Sequence, residues 1–166
     1  MDFGLLLLRS VAGLVMAAHG AQKLFGWFHG YGLAGTAGYF ERLGFRPGRL
    51  FATAAAVAEF AGGWLITLGF LGPVGPALVL ATMIVAAVSA HWPKGLFAQN
   101  GGYELALLYA LIAVGLALTG PGAYSIDAAT GLASLWTPGV AWGALLAGVA
   151  GGLANLVARR PAPVEV

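Results

Sequence analysis

The sequence predicts an all-α membrane protein: a four-helix transmembrane bundle, a fifth transmembrane helix behind it, and an amphipathic surface helix after the first span. Three observations carry this. Of the 166 residues 60% are hydrophobic and only 8% are charged, against roughly 25% charged in an ordinary soluble domain. The apolar residues fall into runs of about 17 to 22, long enough to cross a hydrocarbon core of ~30 Å at 1.5 Å per residue. Glycine and proline turns separate the runs. A soluble chain of this length has too small a core to hide them all.

The first segment runs from about Leu5 to Phe25. Met1-Asp2 lacks a positive n-region and no small-residue cleavage site follows, so the segment is expected to stay in the protein. On a helix Arg9, Gly13, Met16, Gly20 and Lys23 share one stripe, with His19 beside them. Small residues let helices approach, so this stripe should face the bundle.

Trp27 to Leu50 is the most polar connection, and Thr36 to Leu43 within it reads as a short amphipathic helix. Tyr39, Phe40 and Leu43 lie on one side and suit the headgroup boundary. Segment two, Arg49 to Leu71, carries one acid, Glu59, followed by Gly62-Gly63. Counting at 1.5 Å per residue puts Glu59 roughly 14 Å below the surface, close to the midplane.

Segment three, Val74 to His91, stops at Trp92-Pro93. Segment four, Tyr103 to Thr119, holds Glu104 in its first turn, where a carboxylate suits the helix N-terminus. Ala123 to Leu135 is a link carrying Asp127, and Val140 to Val157 is a fifth run with Gly143, Ala147, Gly151 and Ala154 nearly in line. The expected division is a core over 1–135, an added transmembrane helix over 136–160 and a disordered tail over 161–166.

With five crossings, seven of the eight Lys and Arg residues share one side: Lys23, Arg42, Arg46, Arg49, Lys94, Arg159 and Arg160. Basic residues favour the cytoplasm, so the N-terminus is expected outside and the C-terminus inside. A net charge of +2, thinly scattered, argues against nucleic-acid binding. With no cysteine, this chain supplies no disulfide, thiolate metal ligand or thiol relay.

The alternating directions bring His19, Gln22, Lys23, His91 and Glu104 to one leaflet, with Glu59 deeper. Ionisable groups at that depth cost about 2.5 to 3.5 kcal/mol each on insertion scales and mark functional sites by default. One polar cluster inside the bundle is therefore expected, with Lys23 neutralising Glu104 or Glu59. The alternative is that Lys23 and Glu104 snorkel to the interface. The histidines suit proton transfer, quinone hydrogen bonds or metal ligation, haem between His19 and His91 included, but no metal site is assigned.

Six motifs in order resemble the DoxX family of small bacterial inner-membrane proteins. They are His19-Gly-Ala-Gln-Lys-Leu-Phe-Gly26, Gly32-Leu-Ala-Gly-Thr-Ala-Gly-Tyr-Phe40, Glu59 with Gly62-Gly63, His91 with Gly95-Leu-Phe97, Gly101-Gly-Tyr-Glu104, and Gly120-Pro-Gly-Ala-Tyr-Ser-Ile-Asp127. The resemblance covers about Leu5 to Leu132. It implies a four-helix core in the bacterial inner membrane, and related proteins include the membrane subunit of a thiosulfate:quinone oxidoreductase and members of oxidative-stress complexes. On that reading the chain is the membrane subunit of a quinone-linked oxidoreductase, with His19 and Glu59 handling protons and Gln22, Lys23, His91 and Glu104 contacting the quinone. Its partners would be the lipid bilayer and a soluble or membrane subunit that delivers electrons. The competing classes are a non-enzymatic anchor or assembly partner, whose polar residues lock the bundle, and a small transporter that forms its path as a homo-oligomer.

Overall fold

The computed structural model describes residues 2–160; the tail expected to be disordered, 161–166, lies outside them. The described residues are helical, without strands. The long elements are α1 (Asp2–Phe25), α3 (Gly48–Leu68), α4 (Val74–Ala86), α5 (Glu104–Thr119) and α7 (Pro138–Ala158). Two shorter ones, α2 (Gly32–Arg42) and α6 (Ile126–Thr130), lie in the connections. A π turn, Ala87–His91, and a 3-10 turn, Trp92–Lys94, carry α4 on to a 21-residue apolar span.

Four helices are long and apolar enough to cross a membrane: α1, α3, the extended α4 and α7. The fifth, α5, has 16 residues, ~24 Å at 1.5 Å per residue, yet it joins the same two ends. At its start the Glu104 N–H donates to Leu96 O (2.8 Å). Past its end the Ala123 N–H donates to Asp2 Oδ1 at the beginning of α1 (3.0 Å).

Close packing of backbones sets the arrangement. The stripe on α1 is buried as its spacing predicts, through Arg9, Ala12, Gly13, Met16, Ala17, Gly20 and Ala21. It lies on α3 so closely that a Cβ on Gly13 would stand 2.6 Å from Gly63 O, and one on Gly20 2.6 Å from Phe60 Cα. Met16, Ile66, Val79, Met83, Ala113 and Leu116 fill the centre between α1, α3, α4 and α5. Helix α4 is the hub, touching α3, α5 and α7.

Two expectations shift. On α7 the packed positions are Ala141, Leu145, Gly148 and Gly152, one step round from the predicted line. Gly148 meets α4 directly, since a Cβ there would lie 2.6 Å from Ala77 O. Helix α7, the fifth long helix, thus packs on α4 and also touches α5. On α2, Phe40 is buried against Phe45 and Ala52 instead of turned to headgroups, because α2 folds back on α3.

The end of α7 brings Arg159 and Arg160 to the segment that carries Arg42, Arg46 and Arg49. There the Arg159 Nε–H donates to Leu43 O (2.5 Å) and the Arg160 N–H to Gly44 O (2.7 Å), which places the end of α7 beside the connection between α2 and α3.

Candidate functional site

A cavity of about 320 Å³ opens near this basic end. It lies at the lower limit of the roughly 300 to 1,000 Å³ that ligand pockets occupy. Its walls are aromatic and aliphatic: Tyr39, Phe40 and Leu43 from α2, Ala54, Ala55 and Ala58 from α3, Leu78, Ala81 and Val85 from α4. Helix α7 adds Gly151 and Asn155. Three ionisable groups stand in this apolar wall: Lys23, Glu59 and His91.

Each is placed by a different element. Glu59 faces inward from the middle of α3, with 3% of its surface exposed. Lys23, two residues from the end of α1, is drawn inward and not outward: its ammonium pairs with Glu59 Oε2. That contact neutralises a carboxylate whose solitary burial would be very costly. Glu59 Oε1 has no hydrogen-bond partner among the described residues. His91 ends the π turn, and its Nδ1 lies 2.7 Å from Gly101 O. A carbonyl only accepts, so Nδ1 carries a proton, and Nε2 is the ring nitrogen left toward a ligand. Single π turns inside α-helices recur at functional sites.

Of the hydroxyls in the wall, those of Thr82 and Ser89 are already committed, while that of Tyr39 is not. Thr82 donates to Val79 O (2.9 Å) and Ser89 to Val85 O (2.6 Å). Asn155 Nδ2 donates to Gly151 O (2.8 Å), which leaves its side-chain oxygen. The cavity therefore combines one cation, one carboxylate, one imidazole, one phenol and one amide oxygen within an apolar surround.

The DoxX family model matches residues 4–92, more than half of the 166 residues. The chain belongs to the DoxX family. No curated protein and no solved structure matches it. Family membership and the four long apolar helices make it a multi-pass membrane protein. The DoxX-matched region contains Lys23, Glu59 and His91, whereas Gly151 and Asn155 reach the cavity from beyond it.

The single polar cluster expected from the sequence is divided. In this DoxX protein, Lys23, Glu59 and His91 share the cavity, but His19, Gln22 and Glu104 do not line it. His19 is exposed on the outer face of α1, with Nδ1 3.2 Å from Gln22 Oε1. Gln22 in turn donates to Phe28 O (3.2 Å). The pair thus ties down the turn after α1. Glu104 accepts from the Ala98 N–H (2.8 Å) and shapes the loop before α5 instead of pairing with Lys23.

Sequence reading missed the polar centre at the other end. Asp127 is fully buried (0% exposed). It accepts from the Leu71 N–H (3.0 Å), the Gly72 N–H (2.7 Å) and Trp136 Nε1–H (2.7 Å). Arg9, 3% exposed, donates to Thr67 O (2.7 Å) and to Tyr124 O. It has no acidic partner among the described residues; the Thr67 carbonyl in the last turn of α3 supplies the negative end of a helix dipole in its place. These two residues lock the end away from the cavity; Arg9 in the α1 stripe and an isolated acid in an apolar link were the signals in the sequence.

Proposed function

We propose that this protein is the membrane subunit of a quinone-linked oxidoreductase or oxidative-stress complex in the bacterial inner membrane, and that a quinone head occupies the Lys23–Glu59–His91 cavity. The observation that carries the reading is the pairing of Lys23 with Glu59 in the wall of an apolar cavity next to an imidazole with an open ring nitrogen. The donor set fits such a head. The Lys23 ammonium has protons left to donate to a carbonyl oxygen, while Glu59 Oε1 and the Nε2 of a neutral His91 accept from a hydroxyl. The apolar walls exclude water and strengthen these contacts.

A bound quinone supplies two-electron, two-proton chemistry; the chain's own part is to orient the head and hold protons at Glu59 and His91. Electrons come from a partner subunit, because the cysteine-free sequence offers no thiol relay. With seven of the eight basic residues at one end, the N-terminus lies outside and the C-terminus in the cytoplasm.

The anchor reading has its own support, since the Lys23–Glu59 pair also fastens α1 to α3. Titration of the purified protein in lipid nanodiscs with 2,3-dimethoxy-5-methyl-1,4-benzoquinone separates the two. Saturable binding that disappears in Glu59→Gln and persists in His19→Ala supports the quinone site. Binding absent from the wild type, or indifferent to Glu59, leaves the pair as a lock and the protein as an anchor.

A further inference from the structure

A second depression, of about 390 Å³, runs along the outside of α3 and meets the cavity. Leu50, Thr53, Val57 and Ala61 form its floor. These positions recur at spacings of three and four, one face of a helix, over ~16 Å at 1.5 Å per residue. Ala54, Ala58 and Leu78 line both the groove and the cavity, so the two adjoin, with only two alanines and one leucine between them. Chemically they are opposites. All ionisable groups lie on the cavity side. The groove's one polar side chain, Thr53, spends its hydroxyl on Arg49 O (2.7 Å).

A site with a polar pocket at one end and an apolar channel on the lipid-facing side matches one ligand shape, a polar ring bearing a single long tail. We infer that the groove on α3 is the tail track of the ligand whose head sits between Lys23, Glu59 and His91, and that this ligand enters sideways from the bilayer over Ala54 and Ala58. The inference rests on the quinone reading for the head and extends it to a tailed quinone. A water-soluble ring reaching the same groups would have no use for the groove. Because lipid tails are as apolar as the groove, the track contributes position more than affinity. The test must therefore locate the tail.

The probe is a benzoquinone carrying a decyl chain with a terminal diazirine, photolysed with the protein in phosphatidylcholine nanodiscs and mapped by mass spectrometry. The expected result is adducts on Leu50 to Ala61 and on Leu78. They should be lost when excess unlabelled decyl-benzoquinone is present and lost from α3 in Ala61→Phe, which fills the channel without touching the head site. Adducts that concentrate on other helices, while the ring alone still binds saturably, overturn the tail track and leave the head site standing. Adducts on α3 that unlabelled quinone does not displace identify the occupant as bilayer acyl chain and also overturn it. If the ring alone shows no saturable binding to the wild type, the head reading has failed first, and the inference falls with it.

Discussion

Two buried carboxylates, Glu59 and Asp127, illustrate opposite uses of the same group. Asp127 has its oxygens filled by three donors, none of them a cation, so it serves the turn after α3 and the Trp136 ring. Hydrogen bonds to a charged group are worth about 1.5 to 3 kcal/mol each, and donors left unpaired in a buried place lose more. Asp127→Ala should therefore lower stability by ~3 kcal/mol or more, read as a fall in melting temperature in detergent, with quinone titration unchanged in the fraction that folds. Glu59 is only partly satisfied, by Lys23, and this incompleteness makes it available to a ligand. The pair is asymmetric, since the Lys23 side chain is 29% exposed and that of Glu59 only 4%. Glu59→Gln frees an ammonium that can swing to the interface, so thermal stability should change little. Lys23→Met strands a carboxylate in an apolar wall and should cost about 3 kcal/mol or more. Equal melting temperatures for the two variants would contradict this account.

At the scale of elements, what could be read from the sequence was whatever a single helix encodes. The stripe on α1 was legible because glycine, alanine and a buried arginine recur at helical spacing, and the same holds for Gly62-Gly63 on α3. His19 was misplaced for the converse reason. By helical spacing it lies at the edge of the packed face, about 100° from Gly20, and where α1 nears its end nothing covers that edge. His91 and Glu104 both meet the connection before α5, but only the loop from Gly95 to Tyr103 decides that one faces the cavity and the other caps a turn. The cavity itself was illegible, because it exists only when α2 folds over α3 and α7 closes the far wall. Backbone contact between α1 and α3 yields a sharp contrast among glycines. A Cβ on Gly63 would lie 2.6 Å from Gly13 O, whereas Gly115 and Gly143 have nothing within 4 Å. Gly63→Val should destabilise by about 1 to 3 kcal/mol, as overpacking does. Gly115→Ala should be neutral or stabilise by about 0.5 to 1 kcal/mol through helix propensity. Thermal unfolding of the two variants in one detergent checks both signs.

For the whole molecule, the decisive question is how many times the chain crosses. With α4 counted to Lys94, helix α5 is the shortest of the five long helices at 16 residues, but both of its ends are fixed by hydrogen bonds to opposite ends of the bundle. A short span between two longer neighbours is accommodated by local thinning of the bilayer or by packing depth, at a modest cost. Five crossings then bring Arg159 back to Leu43. Four crossings would separate these residues by the thickness of the membrane. The absence of cysteine makes the count directly measurable, because any introduced thiol is the single one present. Asn100→Cys lies in the loop before α5 and Ser134→Cys in the connection before α7, and both native side chains are exposed. In intact cells a membrane-impermeant maleimide should label Ser134→Cys at once and Asn100→Cys only after permeabilisation. Labelling of both from one side would mean that α5 does not cross. The α7 wall of the cavity would then have to be built from the other leaflet, which the bond between Arg159 and Leu43 forbids. Labelling in the reverse order would keep the fold and turn the cavity mouth toward the outside, so that a partner delivering electrons would have to dock there.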